Sequence, residues 1–423
     1  MQVQQNATHI QSFGGLNFMQ SYLASKNFHS TVAAQLGNRN MIAQYSYGDL
    51  LRQLFFVTAI NGTSLDESNI LRDQLKDHPS LRIASPDTIE YAFQELRQSS
   101  NTITTDKGVI HQINEHTGFN KLMTALCSSL HLLQPGKPCI MDYDGHITEN
   151  TKNDNAFTYK QTEGYYPVVC SINKLPVYMQ NRNGNTPESY GQKAIIQQAI
   201  DNCSKEGIVI NAFRADACAY EKDTIEYLES DNITYYIRAQ NCQRLLDALS
   251  DEPQWQSGMI GNRKVEVCSI EETVLGKTRR IVAYRYKQRG QLDIFNQGTY
   301  RYYAIVTSDK QQSALDCITT YNQRGCEGEH HFKELDYDFN WNKLPFDNME
   351  MNTIYMYAML VAYLLFNAVK IAYAQKIDFV KPEMRLKSFI LHFVTLPAKW
   401  IKTGRQWILK IFTTKDYSPL FVT

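Results

Sequence analysis

An excess of charge of either sign is missing from this chain. Its 43 Lys and Arg balance 43 Asp and Glu over 423 residues, for a formal net charge of zero. A strongly basic balance would favour a nucleic-acid partner. A zero balance neither favours nor excludes one, because local patches set the field a partner meets. C-x-x-C pairs are also missing. The nine cysteines are scattered from Cys127 to Cys326. That odd count without paired spacing argues against both a disulfide framework and a zinc site. Reduced thiols in a cytoplasmic protein are expected, and Met1-Gln-Val-Gln-Gln-Asn6 carries no basic, apolar signal segment. Long apolar runs are scarce. The segment from Ile354 to Val369 has only Asn367 as a polar break, but a membrane span needs about 20 such residues. It reads as a buried helix, and no membrane partner is expected. Neither low-complexity sequence nor internal repeats stand out.

What is present is ordinary for a soluble protein: 43% hydrophobic and 20% charged residues, in a chain long enough for two or three domains. The 26 tyrosines are many. They suit sheet packing first, and contact with phosphates or bases second.

Residues 1–130 read as a helical N-terminal domain. Tyr47-Gly-Asp-Leu-Leu-Arg-Gln-Leu-Phe-Phe-Val-Thr-Ala-Ile60 has helical apolar spacing, and Asn61-Gly62 ends it. Ser64 and Ser85 are capping residues with acids in the first turn after them. Such helices suit either a helix-turn-helix DNA reader or a dimerisation domain. From Pro135-Gly-Lys-Pro138 the character changes. Strands are expected at 139–143, 166–172, 175–181 and 207–213, with a helix at 189–203 before the last of them. A helix at 220–230 and a strand at 234–238 follow. Three strands, a helix and a further strand open an RNase H-like fold, an α/β mixed sheet with flanking helices, here assigned to residues 131–238. Residues 239–310 read as a β-rich insertion. Residues 311–380 return to helix as the last part of the core. Residues 381–423 form a basic tail with interleaved aromatics, suited to a phosphate backbone or to an amphipathic helix docked by its aromatic face.

Three acids stand where such a sheet would present them. Asp144 closes the run Pro138-Cys-Ile-Met-Asp-Tyr-Asp144 and is followed by Gly145, which leaves room for a phosphate. Asp142 lies on the same side of the strand and is the fallback acid. Asp216 follows Ile208-Val-Ile-Asn-Ala-Phe-Arg-Ala215; an Asp at that place is also a common helix cap. Glu329 sits on the helix after Tyr321-Asn-Gln-Arg324-Gly325. The helical repeat of about 3.6 residues brings Glu327 closer to the face of Arg324, unless a bulge near Gly325 or Gly328 restores Glu329. Carboxylates gathered this way can hold two divalent metals for phosphoryl transfer. His330 and His331 lack metal-ligand spacing and read as surface or phosphate-neighbouring residues.

These runs resemble DDE transposases of bacterial insertion sequences, the cut-and-paste group with a Tyr-Arg-Glu-Lys signature. The signature is carried by Tyr321, Arg324, a following Glu, and Phe332-Lys-Glu-Leu335-Asp-Tyr-Asp338-Phe339. The two Asp motifs are Ile140-Met-Asp-Tyr-Asp144 and Asn211-Ala-Phe-Arg-Ala-Asp216. Asn181-Arg-Asn-Gly184-Asn, Phe13-Gly-Gly-Leu16 and Tyr47-Gly-Asp-Leu-Leu51 are similar to other segments of the group. The resemblance implies an RNase H-like core with a β-rich insertion before the Glu, and two Mg²⁺ or Mn²⁺ ions held by Asp144, Asp216 and Glu329. It implies DNA phosphate contacts from Tyr321 and Arg324. It also implies a homodimer on paired transposon ends, joining them to target double-stranded DNA in the nucleoid. Glu329 keeps Phe332, Leu335 and Phe339 in register but needs one extra residue after Arg324. Asp336 replaces the signature Lys, and Lys333, one turn earlier, is its cationic substitute. A non-catalytic DNA-binding descendant and a plain RNase H-like nuclease are the alternatives.

Overall fold

A computed structural model describes residues 1, 3, 8–240, 242–287 and 300–421. The side chains of residues 326–330 lie outside this description. Two compact units divide the chain: Pro135–Ile147 with Ala156–Phe332, and Met1–Gln134 with Thr148–Asn155 and Lys333–Thr423.

The first of these units is built on one mixed sheet. In chain order its main strands are β1 (Pro138–Gly145), β2 (Val168–Ile172), β3 (Leu175–Arg182), β4 (Val209–Ala215), β5 (Thr234–Arg238), β6 (Gln256–Ile260), β7 (Arg263–Val274), β8 (Lys277–Lys287) and β9 (Tyr300–Thr307). They lie side by side as β3-β2-β1-β4-β5-β9-β8-β7-β6. β1, β2 and β3 are antiparallel neighbours, whereas β4 runs parallel to β1 and β5 parallel to β4. This order and these directions are those of an RNase H-like fold. Strands buried on both faces should read as continuous apolar runs, and β2, Val-Val-Cys-Ser-Ile, is buried throughout. Helix α1 (Gln192–Lys205) packs on β3 and β4, and α2 (Lys222–Ser230) on α1 and β5.

The β-rich insertion does not stand apart. β9 pairs antiparallel with β5, so β6 to β9 prolong the core sheet. After α3 (Gln243–Asp251) and these strands comes α4 (Ala314–Phe339). Cys317 and Ile318 of α4 enter a core cluster with Ala212, Tyr236, Val265, Val267, Val282 and Ile305, and Tyr321 packs against it. Residues 317, 318 and 321 share one helical face, and burying that face fixes where the next turn, at Arg324, arrives. The helix runs without interruption through Gly325 and Gly328. The bulge that would have restored Glu329 to the face of Arg324 does not form there.

The other unit is mainly helical. Met349–Ala374 is long and apolar enough to cross a membrane, but 94% of its apolar window is buried. It packs against helices Tyr47–Ala59, Pro86–Leu96 and Thr117–Ser129 and is a core helix. The N-terminal helices therefore share a core with the chain's C-terminal part. Tyr47–Ala59 is buried on nearly every residue, which takes it out of contention as a helix read by a DNA groove. The basic tail is not an amphipathic helix: Ala398–Thr403 and Gln406–Ile411 form a β-hairpin. Trp400 donates to Asn17 Oδ1 at 3.1 Å, and Tyr417 to the carbonyl of Phe393 at 3.0 Å.

Candidate active site

β1 and β4 are parallel neighbours with Tyr143 opposite Ala215. The residue that follows each of these is an aspartate, Asp144 near the end of β1 and Asp216 just past β4. Parallel pairing thus delivers two carboxylates to the same C-terminal edge of the sheet, where open α/β sheets bind ligands. Asp216 also caps the single turn Ala217–Ala219, its Oδ1 accepting from the Cys218 amide at 2.8 Å. The cap reading of this residue holds: the cap engages one oxygen and fixes the carboxylate in place.

The two aspartates of β1 have different surroundings. Asp142 is 2% exposed. Arg214 Nε and Nη2 donate to its Oδ1 and Oδ2, each at 2.7 Å, and Arg214 Nη1 donates to the carbonyl of Thr320 at 2.8 Å. That fork occupies both carboxylate oxygens and ties β1 and β4 to α4. It turns the fallback acid into a structural residue. Asp144 retains 26% of its side-chain exposure and meets Arg324 Nη2 at 3.0 Å from Oδ1. Burial pushes its carboxyl up to about 6, Arg324 opposes that rise, and the charges of Asp216 and Asp142 add to it. Arg324 also reaches the carbonyl of Tyr143 at 3.4 Å. Burial lowers the Arg324 guanidinium, but the charges of Asp144, Tyr321, Asp216 and Asp142 raise it overall.

A further acid joins them. Glu188 is 8% exposed, with a carboxylate oxygen within 4.8 Å of an Asp216 oxygen and of the Cys218 sulfur. Burial, then the charges of Asp216 and Asp144, push its carboxyl up to about 7. Burial also raises the Cys218 thiol well above its ordinary value, with Glu188 and Asp216 adding to the effect. Gly145 explains how Glu188 reaches this place. A Cβ on Gly145 would lie 2.6 Å from the Tyr166 ring and 2.9 Å from the Glu188 carboxyl carbon. The space left by that glycine is filled by these two side chains rather than kept open for a phosphate. Glu188 went unnoticed in the sequence because it lies in a loop, between β3 and α1, with no periodicity or motif of its own. The nearest signal was Asn181-Arg-Asn-Gly184-Asn, just before it.

Tyr321 is half-buried, and its phenol is raised chiefly by burial. It and Arg324 are therefore brought to the acids. Lys333 is exposed, on the seven residues of α4 that belong to the helical unit. The side chains of Glu327 and Glu329 lie outside the described residues. His331 is not at the surface: it is 2% exposed, beside Phe332, and burial pushes its ring down to about 3. Phe332 in turn stacks on His146, with ring centroids 4.6 Å apart.

Asp144 and Asp216 crowd negative charge around the Arg324 guanidinium, Glu188 adds a third acid beside them, and Asp144 and Glu188 are held well above the ordinary carboxylate range. A divalent cation would relieve that repulsion, and oxygen donors suit Mg²⁺ or Mn²⁺. The residues present therefore fit such an ion.

An RNase H-like sheet that presents acids at adjacent strand ends, with an arginine from the closing helix, defines a class of metal-dependent phosphoryl-transfer enzymes. Within that class, residues 1–423 match the family described as Transposase DDE domain group 1, and the chain belongs to it. It is a DDE transposase. Among curated proteins, none matches the sequence. Among solved structures, the cryo-EM structure of the piggyBac transposase synaptic complex with hairpin DNA is similar at 10% identity and a TM-score of 0.43, covering 90% of this chain and 80% of that one.

Proposed function

We propose that this transposase cleaves double-stranded DNA at the terminal inverted repeats of its element and joins the freed 3′ ends to target DNA, acting as a homodimer on paired ends. Asp144, Asp216 and a glutamate of α4, Glu329 by its register with Phe332 and Leu335, hold the catalytic ions. The observation that carries this reading is the convergence of Asp144 and Asp216 on one sheet edge, with Arg324 against Asp144. When bound, two Mg²⁺ or Mn²⁺ ions activate the attacking oxygen and stabilise the leaving one.

The chain's own residues supply the rest. β1 and β4 fix the two aspartates on a rigid frame. Arg324 presents a planar fork suited to phosphate oxygens. On binding DNA it would exchange part of its contact with Asp144 for the scissile phosphate, whose charge replaces the carboxylate's. Tyr321 offers a hydroxyl donor beside it, and Lys333 supplies an exposed cation further along the helix. Hydrolysis and strand transfer are both in-line attacks by an oxygen, so no covalent protein–DNA intermediate is required and Tyr321 is no nucleophile.

The test uses the full chain, Mg²⁺ and a duplex carrying the element's terminal repeat with flanking and target DNA. Joined products from the wild type and none from Asp144→Ala are expected. Nicks without joined products would favour a plain nuclease. No cleavage by the wild type, or unchanged cleavage by Asp144→Ala, would sink the reading.

A further inference from the structure

We propose that Glu188 is a metal ligand of the active site, a carboxylate from the loop between β3 and α1 that shares an ion with Asp216. The inference rests on the metal-dependent reading above and adds to it a ligand from outside the two strand ends and the closing helix.

Three observations carry it. The first is placement: oxygens of Glu188 and Asp216 and the Cys218 sulfur lie within 4.8 Å of one another, close enough for one ion to touch more than one of them. The second is an unanswered oxygen. Glu188 Oε2 accepts from the Tyr166 hydroxyl at 2.8 Å. Oε1 is buried and accepts no well-formed hydrogen bond among the described residues. The Cys218 thiol stands beside it, its sulfur within 4.8 Å of an oxygen of each acid. A buried carboxylate oxygen without a partner is costly, and a cation is the partner that this acid-rich surrounding lacks.

The third observation is how firmly the loop is held. Arg182 is fully buried and spends its guanidinium on the loop backbone: Nη1 donates to the carbonyls of Pro187 at 2.7 Å and Glu188 at 3.3 Å, and Nη2 to that of Tyr190 at 2.8 Å. The Tyr143 hydroxyl, from β1 between the two aspartates, donates to the Glu188 carbonyl at 2.6 Å. Gly184 lets the loop start close against its neighbours, since a Cβ there would lie 2.2 Å from the Ala156 carbonyl oxygen. A buried arginine and tyrosine therefore fix the backbone of a residue with one carboxylate oxygen left unsatisfied. Supported ligands of this kind are what a preorganised metal site requires. The same acids open onto a groove of about 540 Å³, which gives an ion its way in.

The experiment is Mn²⁺ titration of the full-length protein by calorimetry, with wild type, Glu188→Gln, Glu188→Asp and Asp144→Asn. Glu188→Gln keeps the shape and the Tyr166 contact while removing the charge. It should weaken Mn²⁺ binding on the order of tenfold or more, with Glu188→Asp recovering part of the loss. Wild-type affinity in a folded Glu188→Gln protein would overturn the proposal. If loss in Asp144→Asn accompanied that result, the metal-dependent reading would survive alone. Wild type that takes up no Mn²⁺ would overturn both. Anomalous scattering from Mn²⁺-soaked wild-type crystals does not depend on any variant folding. A peak in contact with the Glu188 carboxylate supports the assignment, and peaks only on Asp144 and Asp216 overturn it.

Discussion

Asp142 and Asp144 are two residues apart on one strand, and each meets an arginine. Asp142 has a forked partner from the adjacent strand, with both oxygens engaged at 2.7 Å and almost no exposure. Asp144 has one contact to one oxygen at 3.0 Å, keeps a quarter of its exposure, and sits among like charges. The closed pair satisfies itself and serves the fold. The open pair is short of positive charge and leaves a carboxylate oxygen available to a ligand. Two pleat-mates can thus be separated by function through the geometry of their partners alone. The comparison can be broken by variants that make the two ends of β1 behave alike.

The largest effect is expected on the open side. Asp144→Asn should abolish Mg²⁺-dependent cleavage of terminal-repeat DNA while circular dichroism and thermal unfolding stay close to wild type. Asp142→Asn should instead show its main damage in the melting curve. On the closed side, Arg214→Ala leaves the Asp142 charge buried and unpaired, which costs about 3–5 kcal/mol and should be read as a lower denaturation midpoint in urea. Should Arg214→Ala unfold like wild type, Asp142 is not held as the geometry requires.

Gly145→Ala falls between these. The new Cβ would press on the Tyr166 ring and the Glu188 carboxyl without touching the Arg214 fork. Overpacking of that kind costs about 1–3 kcal/mol, less than opening the buried pair. Cleavage should fall more steeply than stability, measured as rate against melting temperature. Equal, small changes in both would mean that the position of Glu188 is immaterial.

The strands were legible in the sequence because apolar runs such as Ile208 to Phe213 and Val168 to Ile172 have no helical alternative at that length. Asp144 and Asp216 were legible because they end such runs. The distinction between Asp142 and Asp144 was not, since alternation puts both on one face and only the approach of Arg214 along the parallel ladder separates them. Glu188 was illegible for a related reason: its partners Arg182, Tyr143 and Asp216 come from three elements, and nothing local marks it. The tail misled because Lys and Trp spaced through 399–410 fit a hairpin as well as an amphipathic helix. Only the turn at Gly404, with φ of 60°, tells against the helix, being a conformation that glycine adopts without strain.

The smallest effect sharpens the comparison through pH. Glu188 and Asp144 are held at about 7 and about 6, above the 4.5 and 3.8 of free carboxyls. The folded protein therefore binds these protons more tightly than the unfolded chain. In the presence of chelator, stability should rise as pH falls from about 8 through this range, by a degree or two in Tm. Below about 6.5, the ordinary value for histidine, two buried imidazoles and a half-buried one oppose the trend. Burial pushes His78 down to about 4 and His331 to about 3, and lowers His116 too, so the unfolded chain takes those protons first and stability falls. Tm measured without metal should accordingly pass through a maximum between about pH 6 and 7. Glu188→Gln and Asp144→Asn should each flatten the upper limb, because each removes one raised carboxyl. Saturating Mn²⁺ should flatten it in the wild type, because the ion replaces the protons as the counter-charge. A wild-type curve already flat from pH 6.5 to 8 in chelator would mean that the open end of β1 is as well compensated as the closed one, and the contrast between the two aspartates would fail.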